Sequence, residues 1–345
     1  MIRAGETKRD SKMMENEGEV KTMLLAGDIG GTKTLLGLFD SATARPRAIT
    51  VKSFGTLDYD DLPTMIATYL KEGGVTPAEV DMACFGVAGP VIDETAKLTN
   101  VPWYVDARGV TAAFGIRRVM LLNDLEAMAW GVPVLRESEV HVLQEGEALR
   151  GGNIALIAAG TGLGQALLHN VDGRFVPSAS EGGHADFAAR TEREIALVQD
   201  LTARYGRADV EHVVSGRGFT NIHRVAHRQP CRAEVDLESP NAPAAISAAA
   251  FDRTCPGCME TLDLFVEAYG AESGNLALRT VSTGGLFVGG GIAPKIMPAM
   301  TTGAFMRAFL AKPPLDHMLS GMPVKIILNA ETGLLGAAVF AAGQR

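Results

Sequence analysis

An apolar run, a glycine-rich turn and a second apolar run occur in that order at two places in the chain. The first set spans residues 23–29, the glycines that follow, and 34–39; the second spans 153–159, 160–164 and 165–169. Buried strands have this apolar composition, and glycine lets the backbone turn sharply between them. The repeat predicts two β-hairpins and, with them, two α/β lobes.

Further apolar segments extend both lobes. We predict strands at 48–54, 80–87, 119–122, 286–288 and 324–328, and helices at 62–70, 125–131, 191–205, 216–227, 256–279 and 332–342, with a further helix from Pro294 and an irregular segment at 230–243. Strands followed by crossover helices favour parallel or mixed sheets with helices on their faces. We expect a small lobe of residues 23–123 completed by residues 330–345, a large lobe of residues 124–329, and a disordered N-terminal extension of residues 1–22.

Composition excludes several classes of function. The 345 residues carry a net charge of −8, whereas generic nucleic-acid and anionic-membrane binders need an excess of Lys and Arg. No apolar run has the length of a membrane span, the first 22 residues lack the apolar stretch of a signal peptide, and 4 cysteines are too few for a disulfide framework. We expect a soluble, cytoplasmic protein that binds neither nucleic acid nor membrane.

Three glycine clusters each follow an apolar strand, at residues 27–34 (GDIGGTKT), 160–164 (GTGLG) and 289–291 (GGG). Successive backbone N–H groups in such turns bind phosphate oxygens, and Asp28 is a carboxylate suited to Mg²⁺ through bound water. The first turn is not a Walker A loop, because Thr32 precedes Lys33. A strand follows the second turn, whereas the dinucleotide fingerprint requires a helix. Three clusters favour one ligand that has several phosphates and a base.

Polar side chains follow other strands. Asn123 and Asp124 come directly after the strand at 119–122, at the sheet edge where open α/β sheets bind ligands. Either residue could instead cap the helix that follows. The segment 180–186 holds Glu181 and His184 around two glycines, which suits a polyol ligand or an ordinary polar turn. Glu211 precedes a Val-Val-Ser-Gly segment and could otherwise be a solvated helix charge.

Two pairs of possible metal ligands stand apart from these segments. Cys255 and Cys258 form a C-x-x-C pair, and His223 and His227 are four residues apart on a predicted helix. A structural zinc takes four ligands, there is no second cysteine pair, and the histidines lack the Glu of H-E-x-x-H. We expect Cys255 and Cys258 to be small apolar residues near a helix start, without metal or redox chemistry.

Taken together, the motifs resemble the bacterial glucokinase family, in the hexokinase-like branch of the actin/hexokinase/Hsp70 superfamily. From about Leu24 to about Ala342 the chain carries, in order, LAGDIGGTKT, FGVAGP, LTNVPW, LLNDLEAMAWG, AAGTGLGQALL, SEGGHADFA, EHVVSGRGF, GNLAL, LFVGGGIAPK and NAETGLLGAA. The resemblance implies a two-lobed actin/hexokinase-like (ribonuclease H-like) α/β fold, with mixed sheets flanked by helices. It also implies a cleft between the lobes that closes on the sugar and expels water.

The resemblance further implies an activity: transfer of the γ-phosphoryl group of ATP to the 6-hydroxyl of glucose, with Mg²⁺, giving glucose 6-phosphate and ADP. Asp124 is similar to the family's general base. The implied glucose ligands are Asn100, Asn123, Asp124, Glu181, His184 and Glu211. The implied nucleotide-binding residues are Asp28, Gly30, Gly31, Thr32, Gly160, Thr161, Gly162, Gly289, Gly290 and Gly291, with Asp28 holding Mg²⁺ through water.

Two departures from the pattern qualify the resemblance. Lys33 stands where many of these glucokinases carry Asn. Ala185 follows His184 where the sugar-kinase/repressor (ROK) family has a Cys-rich zinc motif. We therefore expect the chain to belong to the zinc-free glucokinase branch. We also expect it to form a homodimer. Two alternatives stay open: a kinase of another hexose or with another donor such as polyphosphate, and a non-catalytic sugar-responsive regulator. The short acidic head is a poor match for the basic helix-turn-helix module of such regulators.

Overall fold

Three β-sheets and the helices packed on them make up the part of the chain that the computed structural model describes, residues 23–40, 44–98, 101–227 and 229–344. The strands are β1 Met23–Ile29, β2 Lys33–Asp40, β3 Arg47–Gly55, β4 Val80–Val87, β5 Val91–Ile92, β6 Thr95–Lys97, β7 Tyr104–Asp106, β8 Arg118–Asn123, β9 Val140–Gln144, β10 Ile154–Ala159, β11 Leu163–Val171, β12 Arg174–Ser180, β13 Gly285–Gly289 and β14 Val324–Ile327. The α-helices are α1 Leu62–Gly73, α2 Ala107–Phe114, α3 Asp124–Gly131, α4 Glu192–Tyr205, α5 Gly216–Ala226, α6 Ala242–Phe251, α7 Pro256–Thr280, α8 Ile292–Lys295, α9 Met297–Met300, α10 Ala304–Leu310, α11 Asp316–Ser320 and α12 Thr332–Ala342.

The two larger sheets share one strand connectivity. Their orders are β3-β2-β1-β4-β8 and β12-β11-β10-β13-β14-β9. Three consecutive strands, β1–β3 in the first sheet and β10–β12 in the second, form an antiparallel meander, and the next two strands of each sheet, β4 and β8 or β13 and β14, join it as parallel strands. Strand β9 closes the second sheet in antiparallel orientation. The hairpin repeat predicted from the sequence is confirmed, and it extends to the whole sheet.

Short polar side chains determine where several helices begin. The Asp61 carboxylate accepts a hydrogen bond from the N–H of Thr64 at 2.8 Å, at the start of α1. Thr191 and Ser215 cap α4 and α5 in the same way. A cap satisfies an N–H group that has no partner within the helix, and it is worth roughly 1 kcal/mol. The cap at Ser215 also fixes the start of α5, which borders the site described below.

Helix α3 lies against both larger sheets. On one side it crosses α12 with direct backbone contact: a Cβ at Gly336 would come within 1.7 Å of the Ala127 carbonyl oxygen. On the other side its Leu125 side chain packs on β11, where a Cβ at Gly164 would lie 2.3 Å from it. Helix α12 in turn packs on β1 and β4 through an apolar cluster that includes Leu334. The N-terminus of α3 is therefore held between the two halves of the molecule.

Some predicted boundaries differ from the structure. The helix expected from Pro294 begins at Ile292, because Gly291 is already in a helical conformation. The helix expected through His227 ends at Ala226, where His227 leaves the helical region. The segment expected to be irregular at 230–243 runs into helix α6 at Ala242. The predicted extension at 1–22 lies outside the described residues, and none of the described helices combines the length and apolarity needed to cross a bilayer.

Candidate active site

The first glycine turn joins β1 to β2, and two hydrogen bonds hold it at its base. The Gly30 N–H donates to the Lys33 carbonyl at 3.1 Å, and the Thr56 hydroxyl donates to the Gly30 carbonyl at 2.8 Å. A Cβ at Gly30 would lie 2.9 Å from the Lys33 carbonyl oxygen, so only glycine fits there without a shift. Thr32 at the tip is exposed and Gly31 is half-buried. The turn is rigid at its base and open to a ligand at its tip.

The second glycine turn joins β10 to β11 and is bonded to two other segments. The Gly160 carbonyl accepts a hydrogen bond from the N–H of Gly216 at 2.8 Å, which ties the turn to the start of α5. The Glu211 carboxylate accepts from the Leu163 N–H at 2.9 Å. A Cβ at Gly162 would come within 2.5 Å of that carboxylate. Glu211, expected as a sugar ligand, therefore lies directly against the turn expected to bind phosphate.

Two segments that are remote in sequence run side by side next to this turn. The Gly183 carbonyl accepts from the Glu211 N–H at 2.8 Å, and the Ala185 carbonyl accepts from the Val210 N–H at 3.0 Å. These bonds bring the loop that carries Glu181 beside Glu211. The two polar segments singled out from the sequence thus form one wall.

The same loop presses closely on the large sheet. A Cβ at Gly183 would be 2.2 Å from the Leu163 carbonyl oxygen, so a larger residue would displace the loop. The His184 side chain is largely exposed, and its Nδ1 lies 3.5 Å from an Asp209 carboxylate oxygen. Glu181 is also exposed. Both side chains are free to meet a ligand, while the backbone between them is fixed.

Asn123 caps α3 and Asp124 is its first residue. The Asn123 Oδ1 accepts from the Leu125 N–H at 2.9 Å, while its Nδ2 donates to the Gly89 carbonyl at 3.1 Å. The capping role that the sequence left open is therefore present. The Asp124 carboxylate also accepts from the Leu125 N–H, at 2.9 Å. Burial raises the pKa of Asp124, and the negative charge of Glu181 raises it further.

Strand β1 brings a second buried carboxyl to this position. Burial raises the pKa of Asp28 to about 6; the charge of Asp124 raises it as well, while Lys33 lowers it. Asp28 pairs in register with Gly86 of β4, and a Cβ at Gly86 would lie 3.7 Å from the Asp124 Cα, so Asp28 and Asp124 lie close together. The first hairpin and the start of α3 therefore converge. A cluster of carboxylates is the donor set that Mg²⁺ prefers, so these residues fit the ion that the sequence implies.

A cavity of about 980 Å³ opens beside the second turn. Gly160 and Thr161 of that turn line it, together with the start of α5, the segment 237–243, part of α6, and α8. Its volume is at the upper end of the range for small-molecule pockets and suits a nucleoside with phosphates. Of the third glycine cluster, Gly291 lines the cavity, whereas Gly289 is buried at the end of β13. Gly290 has φ of 81° and approaches the Ala159 carbonyl, which makes it a turn residue.

Several cavity residues were not singled out as candidate ligands from the sequence. They are Arg217, Phe219 and Thr220 of α5, Asn241 before α6, Pro243 and Ser247 within it, and Lys295 of α8. The Pro and Ser content of 237–243 indicated only a loop, and its packing against α5 and α8 makes it a pocket wall. Asn100 lies outside the described residues.

Two lobes with one strand connectivity, each with a glycine hairpin, and a carboxylate cluster between them define a two-lobed α/β protein of the actin/hexokinase-like fold. The glucokinase family profile matches residues 25–344. The glucokinase of Nostoc punctiforme is 39% identical over 340 residues, covering 93% of this chain and 99% of that protein. The chain belongs to the glucokinase family, which confirms the resemblance found in the sequence.

Solved structures agree with this assignment. The crystal structure of a glucokinase from an Antarctic psychrotroph has a TM-score of 0.81 at 28% identity, covering 93% of this chain and 99% of that one. A ROK family glucokinase from Streptomyces griseus, solved in complex with glucose and AMPPNP, has a TM-score of 0.63 at 22% identity, covering 93% and 99%. At that identity the second likeness concerns the fold alone. The predicted fold class is confirmed.

Proposed function

We propose that this protein transfers the γ-phosphoryl group of ATP to the 6-hydroxyl of glucose, giving glucose 6-phosphate and ADP. The observation that carries the proposal is the position of Asp124 at the start of α3: it lies against Gly86, the residue that pairs with Asp28 of the first hairpin. The negative charge of Glu181 raises the pKa of Asp124. We take Asp124 as the proton acceptor. The first glycine turn, proposed to bind phosphate, lies on its Asp28 side, and the loop proposed to bind the sugar lies on its Glu181 side. The relatives named glucokinase support the same reaction.

Asp124 is the proposed general base. Phosphoryl transfer needs positioning and charge neutralisation, plus a group that takes the proton of the attacking hydroxyl. Burial raises the pKa of Asp124 toward the working pH, which makes the carboxylate a stronger base, while the start of α3 favours its ionised form. General-base catalysis of this kind is worth about 10²–10⁴-fold in rate.

Glu181, His184, Glu211 and Asn123 are the proposed glucose ligands, together with Asn100. Asp209 lies beside the His184 ring and restricts its orientation. The Glu211 carboxylate is held by the Leu163 N–H and by Arg217 at 3.1 Å, so it joins the sugar loop to the second turn. Directional acceptors and donors of this type reject analogues that lack a matching hydroxyl, because buried polar groups would be left unpaired.

The proposed phosphate-binding groups are the backbone N–H groups of Gly30, Gly31 and Thr32 in the first turn and of Gly160, Thr161 and Gly162 in the second. Gly289, Gly290 and Gly291 are proposed to border the adenosine, as lining of the cavity by Gly291 supports. Asp28 would hold Mg²⁺ through water. When bound, Mg²⁺ supplies positive charge that neutralises the phosphates.

Residues 23–123 with 330–345 are proposed as the small lobe and residues 124–329 as the large lobe, and sugar binding is proposed to close them. The packing of α12 on β1 and β4 supports its assignment to the small lobe. A cytoplasmic homodimer is the expected state. Light scattering coupled to size-exclusion chromatography measures the assembly, and a monomeric mass would exclude the dimer.

The direct test is sugar-dependent ADP release with Mg²⁺ over a panel of hexoses, with polyphosphate as a second donor. We expect turnover with glucose and ATP in the wild type and at least a hundredfold loss in Asp124→Ala, with a smaller change in glucose affinity by calorimetry. Glu126→Gln, a half-buried acid on the same helix, is the matched control and should stay active. Full activity in a folded Asp124→Ala protein would remove the base assignment; turnover with another hexose alone would replace the substrate.

A further inference from the structure

Sulfur and imidazole groups converge where the end of α5 meets the start of α7. The Cys231 Sγ lies 3.8 Å from the Cys255 Sγ and 3.7 Å from the Cys258 Sγ. The His227 Nε2 lies 3.2 Å from the Cys255 Sγ and 4.0 Å from the Cys258 Sγ. Tetrahedral zinc, with bonds of about 2.3 Å to sulfur and 2.0–2.1 Å to nitrogen, sets its ligand atoms roughly 3.6–3.8 Å apart. These four separations, of the six that four ligands form, lie within about half an ångström of that geometry.

The orientation of His227 is that of a metal ligand. Its Nδ1 lies 2.8 Å from the backbone carbonyl of His223, so Nδ1 carries the proton and donates it. The lone pair then belongs to Nε2, the atom that faces Cys255 and Cys258. In zinc sites a ligating histidine usually donates its other ring N–H to a carbonyl or carboxylate oxygen, which fixes its tautomer and orientation.

An unpartnered buried imidazole lies in the same cluster. His223 is 4% exposed, and neither of its ring nitrogens has a hydrogen-bond partner among the residues that the structure describes. Its ring stacks on that of His227 with centroids 3.6 Å apart. Ligand atoms of His223, His227, Cys231 and Cys258 all lie within 4.8 Å of one another. His223 is therefore the competing candidate to Cys255 for the fourth ligand position, and the variants below distinguish the two.

We propose that His227, Cys231, Cys255 and Cys258 bind one Zn²⁺ in a structural Cys₃His site. Three thiolates and one imidazole are the donor set that selects zinc, and four protein ligands leave no open position for catalysis. On binding, the three thiols release their protons to water and the sulfurs become ligands, so the affinity falls as the pH is lowered. The ligands follow the spacing H-x₃-C and C-x₂-C, in which Cys231 supplies what the two sequence pairs lacked.

The position of the site gives it a role in the fold. It joins the C-terminal end of α5 to the N-terminal end of α7 and fixes Cys231, from which the chain continues into the nucleotide-cavity wall at 237–243. The start of α5 borders that cavity as well. The segment His184–Phe187, where the ROK zinc motif would fall, contributes nothing to this cluster.

The test is the zinc content of the full-length protein, equilibrated with Zn²⁺ under a phosphine reductant and then desalted. We expect one zinc per protein chain by plasma mass spectrometry. An organomercurial that titrates the three thiols should release this zinc to a chromogenic chelator. Cobalt substitution should give the visible bands of tetrahedral thiolate coordination. These measurements need no sugar or nucleotide, so their outcome is independent of the kinase activity.

Variants identify the ligands. Cys231→Ser and Cys258→Ser should lose zinc, whereas Cys84→Ala, which removes a thiol buried in β4, should keep it. His223→Asn should also keep it. This ligand set would be overturned if Cys255→Ser kept its zinc and His223→Asn lost it. A zinc-free wild type whose 4 thiols all titrate as free, or a disulfide of Cys231 formed despite the reductant, would overturn the site itself, even if every variant failed to fold.

Discussion

Replacing Asp28 by Asn should stabilise the protein while weakening the proposed phosphoryl transfer. The pKa of Asp28 is raised by burial from 3.8 to about 6. In the unfolded chain the same carboxyl has its ordinary pKa, so ionising it costs more in the folded protein. Asn has nearly the same shape and no charge to bury. The substitution therefore removes an electrostatic cost and, with it, the proposed contact to hydrated Mg²⁺.

The size of the effect follows from the pKa of Asp28. One decade in a proton-binding constant is about 1.4 kcal/mol, so values of about 6 and 3.8 correspond to about 3 kcal/mol of lost stability at neutral pH. Unfolding entropy is about 2.1 cal/mol/K per residue, which over the 345 residues converts 3 kcal/mol to a Tm difference of about 4 °C.

The sign of the pH dependence is fixed by proton binding. Between pH 3.8 and about 6 the folded protein holds more protons on Asp28 than the unfolded chain does. Stability due to this group therefore falls as the pH rises through that window and stays low above it. The gain in Asp28→Asn should be full at pH 8 and should vanish near pH 4.

The assay is thermal unfolding of the ligand-free variant and wild type at both pH values. Asp60→Asn removes a charge from an exposed position and is the matched control, with little change expected at either pH. Two results would refute the burial argument. One is an Asp28→Asn protein whose Tm at pH 8 is no higher than that of the wild type. The other is a Tm difference between variant and wild type that is the same at pH 4 and pH 8. Activity should fall in Asp28→Asn and remain in Asp60→Asn.

Other predictions follow from the same geometry. Glu181→Ala should raise the KM for glucose more than that for ATP, and an unchanged glucose KM in steady-state assays would count against Glu181 as a sugar ligand. The acid limb of kcat/KM should lie above the ordinary range of Asp because burial raises the pKa of Asp124; Glu181→Gln removes a charge that raises it and should move the limb to lower pH. Gly183→Ala places a Cβ 2.2 Å from the Leu163 carbonyl oxygen and should raise the glucose KM severalfold, whereas Gly109→Ala on exposed α2 should leave it unchanged; equal glucose KM values in the two variants would contradict the close approach.

The sequence predicted most of the fold because strands, turns and caps are local properties. Strands β1, β4 and β10 were identified from mostly apolar runs, and the two glycine hairpins from the turns that follow β1 and β10. Weak elements escaped: the three-stranded sheet of β5, β6 and β7 consists of strands of two or three residues without an alternating pattern. Helix α6 was missed because irregular residues rich in Pro, Asn and Ser precede it.

Individual site residues were also identifiable, because each follows a strand or lies in a glycine turn. Their assembly was not. The sequence placed Asp28 with the phosphate turn and Asp124 with the sugar; the structure brings the two together, because Asp28 pairs with Gly86 and a Cβ at Gly86 would lie 3.7 Å from the Asp124 Cα. The sequence likewise left Glu211 as a possible solvent-exposed charge, whereas in the structure the hydrogen bond from the Leu163 N–H holds Glu211 against the second turn.

The cysteines show the difference between what the sequence determines and what only the tertiary structure determines. By itself the sequence determined that Cys255 and Cys258 share the start of a helix, since that follows from a spacing of three residues and a proline. Only the tertiary structure brought Cys231 and His227 to them, because that contact depends on how α5 and α7 pack across the lobe. Local hydrogen bonding and burial are encoded within one helical turn or one strand, whereas the packing of distant elements depends on the whole core.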